Sequence, residues 1–555
     1  MSEHADKEYD VVVIGSGVAG ALISWKLAKA GARVLILEAG ERGPDRLELV
    51  GRWVRTPDRG GAIASPYRGR DGDKFAPFPE NDRDYEQAGP QRFKSTYVRR
   101  VGGSTWHWLG NVPRFLPRDF SMRSSFGLAV DWPIGYDDLE RWYCEAEHVI
   151  GVSGNHDEWN GLFGAYRSRD FPMSEIWPSY ADRQIRRAID GLTFEGVPLR
   201  MMSTPQARNS QPYHGRPVCA GNSTCVPICP IGAKYDATVH IQMAEVEGAE
   251  VREQAVVSRL HADQDGLVRQ VSFKTWDGLD HSVSGRVVVL AAHAIESPRL
   301  LLLSADERTP GGVANRSGQV GRNLMDHLQG AATARASFPL FPFRGPPTTS
   351  GIDTFRDGDF RARHAAFRMS FGNDGHGREG APVTDLMELV DKDRLFGREL
   401  RERLADRVSR QWRISYSTEQ LPNPSNRVEL SDQVDALGLR KAKLTVGLDA
   451  YNTDAFEVAR RVMRTLFLAV GDAEGGFASD PNAYSGAGHI MGTCRMGHAP
   501  EQSVVNADCR AHDHPNLFIV GASVFSTGGT ANPTLTVAAL ALRAVPAITE
   551  HLTRS

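Results

Sequence analysis

Three of the chain's six cysteines stand within eleven positions, as Cys219-Ala-Gly-Asn-Ser-Thr-Cys225-Val-Pro-Ile-Cys229, with Pro230 next. Thiolates at C-x5-C-x3-C spacing, closed by a proline, suit iron–sulfur ligation. Three ligands without a fourth point to a three-iron cluster. A structural zinc site usually wants four ligands with paired C-x2-C spacing. His214 or His240 could complete one, and a loop without a ligand is the third reading. Cys144, Cys494 and Cys509 stand apart and read as ordinary part-buried thiols.

Gly15-Ser-Gly17-Val-Ala-Gly20 could cradle a phosphate. It follows the apolar run Val11–Ile14 and opens the helical stretch Ala21–Ala30; Val34–Leu37 then reads as a second strand ending at Glu38. Gly15 permits a tight turn, Gly17 lets a pyrophosphate approach the backbone, and Gly20 lets helix and strand pack closely. The helix N-terminus offers free N–H groups to the phosphates. Glu38, 18 residues beyond Gly20, can accept ribose hydroxyls and favours a ribose without a 2′-phosphate. This spacing predicts a dinucleotide site but leaves FAD and NAD open.

The elements that position these residues belong to an ordinary globular chain. The 555 residues are 41% hydrophobic and 24% charged, with net charge −3. Such a balance gives no basic surface for nucleic acid, and no run of about 18 apolar residues predicts a membrane span. The polar start, Met1 to Asp10, carries no signal-peptide pattern. Tyr451 to Val470 reads as an amphipathic helix with Phe456, Ala459, Met463 and Leu466 on its core face. Arg361 to Arg413 reads as a solvated, helical, charge-rich insertion or partner-facing surface, and Asn423 to Leu430 as a turn entering a strand of a substrate-domain sheet.

Three further segments choose the dinucleotide: Arg100-Val-Gly-Gly-Ser-Thr-Trp-His-Trp108, Val287-Val-Val-Leu-Ala-Ala-His-Ala-Ile-Glu-Ser-Pro298, and Asn516-Leu-Phe-Ile-Val-Gly-Ala-Ser523 followed by Asn532-Pro-Thr-Leu-Thr536. In this order, across nearly the whole chain, they resemble the glucose–methanol–choline (GMC) family of FAD oxidoreductases. Asp131-Trp-Pro-Ile134, Ala207-Arg-Asn-Ser210, Cys225-Val-Pro-Ile-Cys-Pro-Ile-Gly-Ala233 and Gly321-Arg-Asn-Leu-Met-Asp-His327 narrow the likeness to catalytic subunits of bacterial FAD sugar dehydrogenases. The resemblance implies an α/β and α+β fold: a Rossmann-like FAD-binding domain interleaved with an antiparallel-sheet substrate domain. The expected FAD pieces are 1–45, 215–330 and 485–555; 46–214 and 331–484 would form the substrate domain and its insertions.

The same resemblance assigns roles. Gly15, Gly17, Gly20 and Glu38 would hold the ADP half of FAD. Val257 would meet the adenine through its backbone, Gly103 and Ser104 would lie near the flavin, and Asn532, Pro533 and Thr534 would approach its pyrimidine end. His107 aligns with a histidine that carries covalent flavin in related pyranose oxidases, although here the triplet is Trp106-His107-Trp108. Cys219, Cys225 and Cys229 match the loop that holds a [3Fe–4S] cluster in the sugar dehydrogenases, with Ala220 replacing a frequent second cysteine.

Oxidising an alcohol on flavin needs a base for the hydroxyl proton while the carbinol hydride reaches N5. Histidine titrates in the right range, but 17 histidines make residue type alone uninformative. By resemblance, His489 is the base and Asn532 the partner that binds the substrate oxygen. His107, His293 and His327 remain possible neighbours, and His512 and His514 read as surface residues. The expected activity is oxidation of a sugar or glycoside hydroxyl, with electrons leaving through the cluster to a cytochrome c-type or other acceptor. A small signal-bearing partner subunit would export the complex to the periplasm; a cytoplasmic location is the alternative. An oxygen-reducing sugar oxidase is the alternative activity. A redox-inactive nucleotide-binding protein with a zinc knot is the reading from another class.

Overall fold

A computed structural model describes residues 8–43, 45–55, 85–95, 97–222, 225, 228–377 and 380–554. The strand Glu8–Ile14 lies between Val34–Leu37 and Asp280–Leu290, parallel to both. Glu250–Arg252 extends this parallel sheet at one edge, and Leu517–Ile519 pairs with the C-terminal half of Asp280–Leu290. The N-terminal half of that long strand turns into an antiparallel meander with Val268–Thr275 and Ala255–Ala262. Val11, Val12 and Val13 are fully buried, as a strand covered on both faces requires. The helix Val18–Lys29 covers one face.

A second, antiparallel sheet runs in the order Gly476–Phe477, Leu328–Arg335, Gln411–Thr418, Phe367–Gly372, Thr348–Ile352, Met201–Ser203. Side chains alternate along its central strands, because successive Cβ atoms of a strand point to opposite faces. Leu328, Phe367, Met369, Phe371, Trp412, Ile414 and Tyr416 join the core formed with the helix Ala450–Ala469. Phe456, Ala459, Met463 and Leu466 are buried, as the periodicity predicts. Burial of Phe456, Met463 and Leu466 stabilises this layer by roughly 2 kcal/mol each. The opposite face carries Gln329, Arg368, Ser370, Arg413, Ser415 and Ser417, all bordering one large cavity.

Several expectations need correction. Arg427–Val434 does not enter the second sheet; it pairs with Arg440–Thr445, which in turn pairs with Tyr85–Ala88. This three-stranded sheet buries Val428 and Leu444 against Ala294 and Ile295 of the helix His293–Leu303. The helical insertion is confined to Val383–Asp391 and Gly397–Ser409; its flanks, Phe367–Gly372 and Gln411–Thr418, are central strands. Within 46–214, one helix joins the first core. Phe115, Leu139, Tyr143 and Ile150 share the core of the parallel sheet, because the helix Tyr136–Ile150 packs on Thr534–Arg554. Leu328–Arg335 straddles the expected boundary at residue 330.

The helix Thr534–Arg554 is long and apolar enough to cross a membrane by length and composition, with mean hydropathy 1.3. In the structure, Leu535 and Val537 to Leu542 are buried in the same core.

Candidate active site

A cavity of about 560 Å³ lies between the parallel sheet and the polar face of the antiparallel one. At its nucleotide end sit Gly15, Gly17, Glu38 and Val257. Gly15 holds φ +98°, and a Cβ there would stand 2.6 Å from the Ala291 carbonyl oxygen. Gly20 lies outside the cavity, where a Cβ would stand 2.0 Å from the Gly15 carbonyl oxygen, so it serves packing. A Cβ on Gly17 would meet no protein atom within 4 Å. That gap opens onto the cavity at the start of a helix, a cradle that fits a pyrophosphate.

Glu38 is buried and braces the same turn. Its Oε2 accepts from the Ser16 N–H at 3.0 Å and hydroxyl at 2.6 Å, and its Oε1 accepts from the Gly40 N–H at 2.9 Å. Burial raises its pKa, and these donors oppose the rise. A carboxylate has about four lone-pair sites, so capacity remains for ribose hydroxyls. Ser16 Oγ also accepts from the Gly102 N–H at 3.1 Å, tying the phosphate turn to Gly103 and Ser104.

Gly103, Ser104 and His107 line the middle of the cavity, and Asn532, Pro533 and Thr534 line its far end, where the helix Thr534–Arg554 begins. Burial, with Lys234 adding repulsion, pushes His107 down to about 4 and keeps it neutral. Lys234 is itself buried. Its Nζ donates to the carbonyls of Trp106 at 2.9 Å and Trp108 at 2.6 Å, holding the His107 turn.

His489 also faces the cavity. Its backbone N–H donates to Asp326 Oδ1 at 2.8 Å, while Met491 and Met325 exchange backbone bonds at 2.9 and 3.0 Å. The segment therefore runs antiparallel beside Met325 to Gln329. Asn532 Nδ2 and His489 Nε2 are 3.0 Å apart, and His327 Nδ1 and His489 Nδ1 are 2.8 Å apart. Arg368 Nη1 donates to Asn532 Oδ1 at 3.1 Å, and its Nε donates to the buried Asp353 at 3.1 Å. Burial first, then His327 and Arg368, holds His489 well below the usual imidazole range. A neutral imidazole beside an amide donor can take a proton from a hydroxyl and bind the resulting oxygen.

The cysteine loop adjoins this region through Lys234. No disulfide joins any of the six cysteines; Cys219 is half-buried, and Cys225 and Cys229 are buried. Burial raises Cys219 first, and Cys225 and Cys229 are near enough to raise it further. The Lys234 N–H lies 3.5 Å from Cys229 Sγ. Three thiols on one loop, with an N–H donor on one sulfur, have the donor chemistry of an iron–sulfur site. Among the described residues no three or more His, Cys, Asp or Glu side chains are gathered into a metal-holding group. Of the two histidines that could complete a zinc site, His240 Nδ1 lies 2.8 Å from Tyr235 OH and His214 Nε2 lies 3.2 Å from the His148 carbonyl oxygen.

Arg368, Arg413, Gln329, Ser415 and Ser417 were not singled out from sequence. The signal was there: Phe367-Arg-Met-Ser-Phe371 and Trp412-Arg-Ile-Ser-Tyr-Ser417 alternate apolar and polar residues. His514 does not lie on the surface as expected; it is buried, with Nδ1 2.7 Å from the Gly266 carbonyl oxygen.

Residues 194–329 and 422–541 match the two GMC oxidoreductase family profiles, and residues 13–43 match an NAD(P)-binding Rossmann-like domain. The chain is 37% identical to the fructose dehydrogenase large subunit of Gluconobacter japonicus, over 98% of each chain. It is 31% identical to the 2-methyl-1,2-propanediol dehydrogenase of Mycolicibacterium austroafricanum, over 98% of this chain and 95% of the other. Among solved structures, pyridoxine 4-oxidase from Mesorbium loti shares the fold, with TM-score 0.63 at 20% identity over 97% of this chain and 99% of that one. The cradle at Gly17, the histidine–asparagine pair on the same cavity and these full-length likenesses converge: the chain belongs to the GMC oxidoreductase family, and is a FAD-dependent enzyme that oxidises alcohols.

Proposed function

We propose that this enzyme oxidises a hydroxyl of a sugar or glycoside to a carbonyl, with His489 as the base. The observation that carries the reading is the His489–Asn532 pair on a cavity whose opposite wall is a sheet face of hydroxyl, amide and guanidinium groups. Such a wall hydrogen-bonds a polyhydroxylated substrate along its length. The identity to a fructose dehydrogenase subunit supports the same class.

The substrate hydroxyl enters between the pair, donating to His489 Nε2 while its oxygen accepts from Asn532 Nδ2. His489 takes the proton as the carbinol hydride departs. FAD, when bound, supplies the hydride acceptor. Gly15, Gly17 and Glu38 would hold its ADP half, Val257 its adenine, and Gly103, Ser104 and Asn532 to Thr534 its flavin. Arg368 keeps the Asn532 amide turned with nitrogen toward the base, since its own N–H occupies the oxygen. His107 lies beside the flavin position as a neutral imidazole.

In the same reading, Cys219, Cys225 and Cys229 bind a [3Fe–4S] cluster that gives electrons a one-electron exit toward a cytochrome c-type acceptor. The thiol set and its place beside the His107 turn support this. A small partner subunit and export to the periplasm complete the proposal.

Anaerobic mixing with fructose, glucose and glycosides, followed by absorbance and by electron paramagnetic resonance, tests it. Flavin bleaching by one of these sugars and a three-iron signal are expected. Flavin that bleaches without iron present, and that releases stoichiometric peroxide once oxygen is admitted, would instead mark an oxidase. No bleaching by any polyol would overturn the substrate class.

A further inference from the structure

We propose that His327 is the positioning residue that fixes the tautomer of His489, leaving Nε2 bare toward the substrate. The inference rests on His489 being the base. A hydrogen-bond chain anchored at both ends carries it.

One end is a backbone carbonyl. His327 Nε2 lies 3.1 Å from the Gly528 carbonyl oxygen. A carbonyl only accepts, so His327 Nε2 carries the hydrogen. His327 is fully buried, and burial pushes it down to about 4, so the ring is neutral and its Nδ1 is a bare acceptor. Its contact at 2.8 Å is His489 Nδ1, which must therefore be the donor. A neutral His489 with Nδ1–H has Nε2 free of hydrogen.

The other end is a guanidinium. Arg368 has only donors, so Asn532 Oδ1 accepts from it and Asn532 Nδ2 faces His489. An amide nitrogen 3.0 Å from His489 Nε2 requires that Nε2 accept. The two ends are independent and demand the same tautomer. The other tautomer would place N–H against N–H at Asn532 and two lone pairs together at His327. When Nε2 takes the substrate proton, the Nδ1–H bond to His327 becomes charge-assisted and strengthens. His327 thus both sets the resting base and steadies the imidazolium, without touching substrate. Because its Nε2 bond ends on Gly528, it also couples the base to the loop that carries Asn532.

The test replaces His327 in the FAD-loaded enzyme with Leu and with Asn, whose side-chain oxygen can still accept from Nδ1–H. His327→Leu should slow flavin bleaching roughly a hundredfold, since Asn532 alone then selects the tautomer. The substrate concentration for half-maximal rate should change less than about threefold, because no substrate contact is lost. His327→Asn should recover most of the rate. In ¹⁵N-histidine spectra of the parent, the signals lost in His489→Ala should show a protonated Nδ1 and a bare Nε2. Should His327→Leu not fold, His327→Asn and these spectra still decide. Bleaching in His327→Leu within threefold of the parent, equal loss in Asn and Leu variants, or spectra showing protonated Nε2 on His489 would each overturn the proposal. Normal bleaching in His489→Ala would instead overturn the base itself.

Discussion

His489, the proposed base, and the cysteine loop are organised in opposite ways. Each ring nitrogen of His489 has a partner: Asn532 at 3.0 Å and His327 at 2.8 Å. Its backbone is pinned to Asp326. The imidazole is held on every side by the protein's own hydrogen bonds. The thiols share a loop and sense one another electrostatically, yet among the described residues they are not gathered into a metal-holding group. A proton acceptor must be oriented before substrate arrives, because a small misplacement costs rate. A metal-cluster loop can be ordered by the cluster, since metal binding and local folding are coupled. The comparison predicts that the two regions can be broken separately.

The largest effect should come from His489→Ala. Flavin bleaching by substrate should fall about 10⁴-fold with FAD still bound, as stopped-flow absorbance would show. Asn532→Ala keeps the base and removes one donor to the developing oxyanion; the same assay should report a loss of about a hundredfold. Were Asn532→Ala the more damaging of the two, His489 would not be the base.

Acid should erode the scaffold around the base. Burial holds His327 at about 4 and His240 at about 3 in the folded state. Both values lie below the ordinary 6.5 or so of an unfolded histidine. Between those limits the unfolded chain binds more protons, so this stability is complete above about pH 6.5 and is lost as pH falls. The melting temperature should drop by roughly 3 °C between pH 7 and pH 5. A melting temperature that rises over that interval would contradict neutral burial.

How much of this was legible in the sequence differs between regions for physical reasons. The fingerprint was readable because its requirements are local: a tight turn at Gly15, close packing at Gly20 and an acid at the end of the next strand. His489 and Asn532 were found only through family resemblance, since 43 residues separate them and a helix-turn periodicity cannot bring them together. Arg368 was hidden inside an apparently solvated Arg-rich stretch. Its burial depends on Asp353 neutralising it from the turn that follows a neighbouring strand, a pairing that charge composition cannot show. Arg427–Val434 was recognisable as a strand, but sheet membership is set by tertiary packing on His293–Leu303 rather than by the strand's own pattern. His514 sits in a polar loop yet is buried, because a carbonyl at Gly266 accepts from it.

The smallest expected effect tests the separation most directly. Cys225→Ser removes one buried thiol from the loop and leaves the His489–Asn532–Arg368 chain untouched. In anaerobic stopped-flow with sugar, flavin bleaching in this variant should stay within about twofold of the parent, while iron content and reduction of a cytochrome acceptor collapse. Bleaching lost along with the iron, in a variant that still binds FAD, would contradict the account.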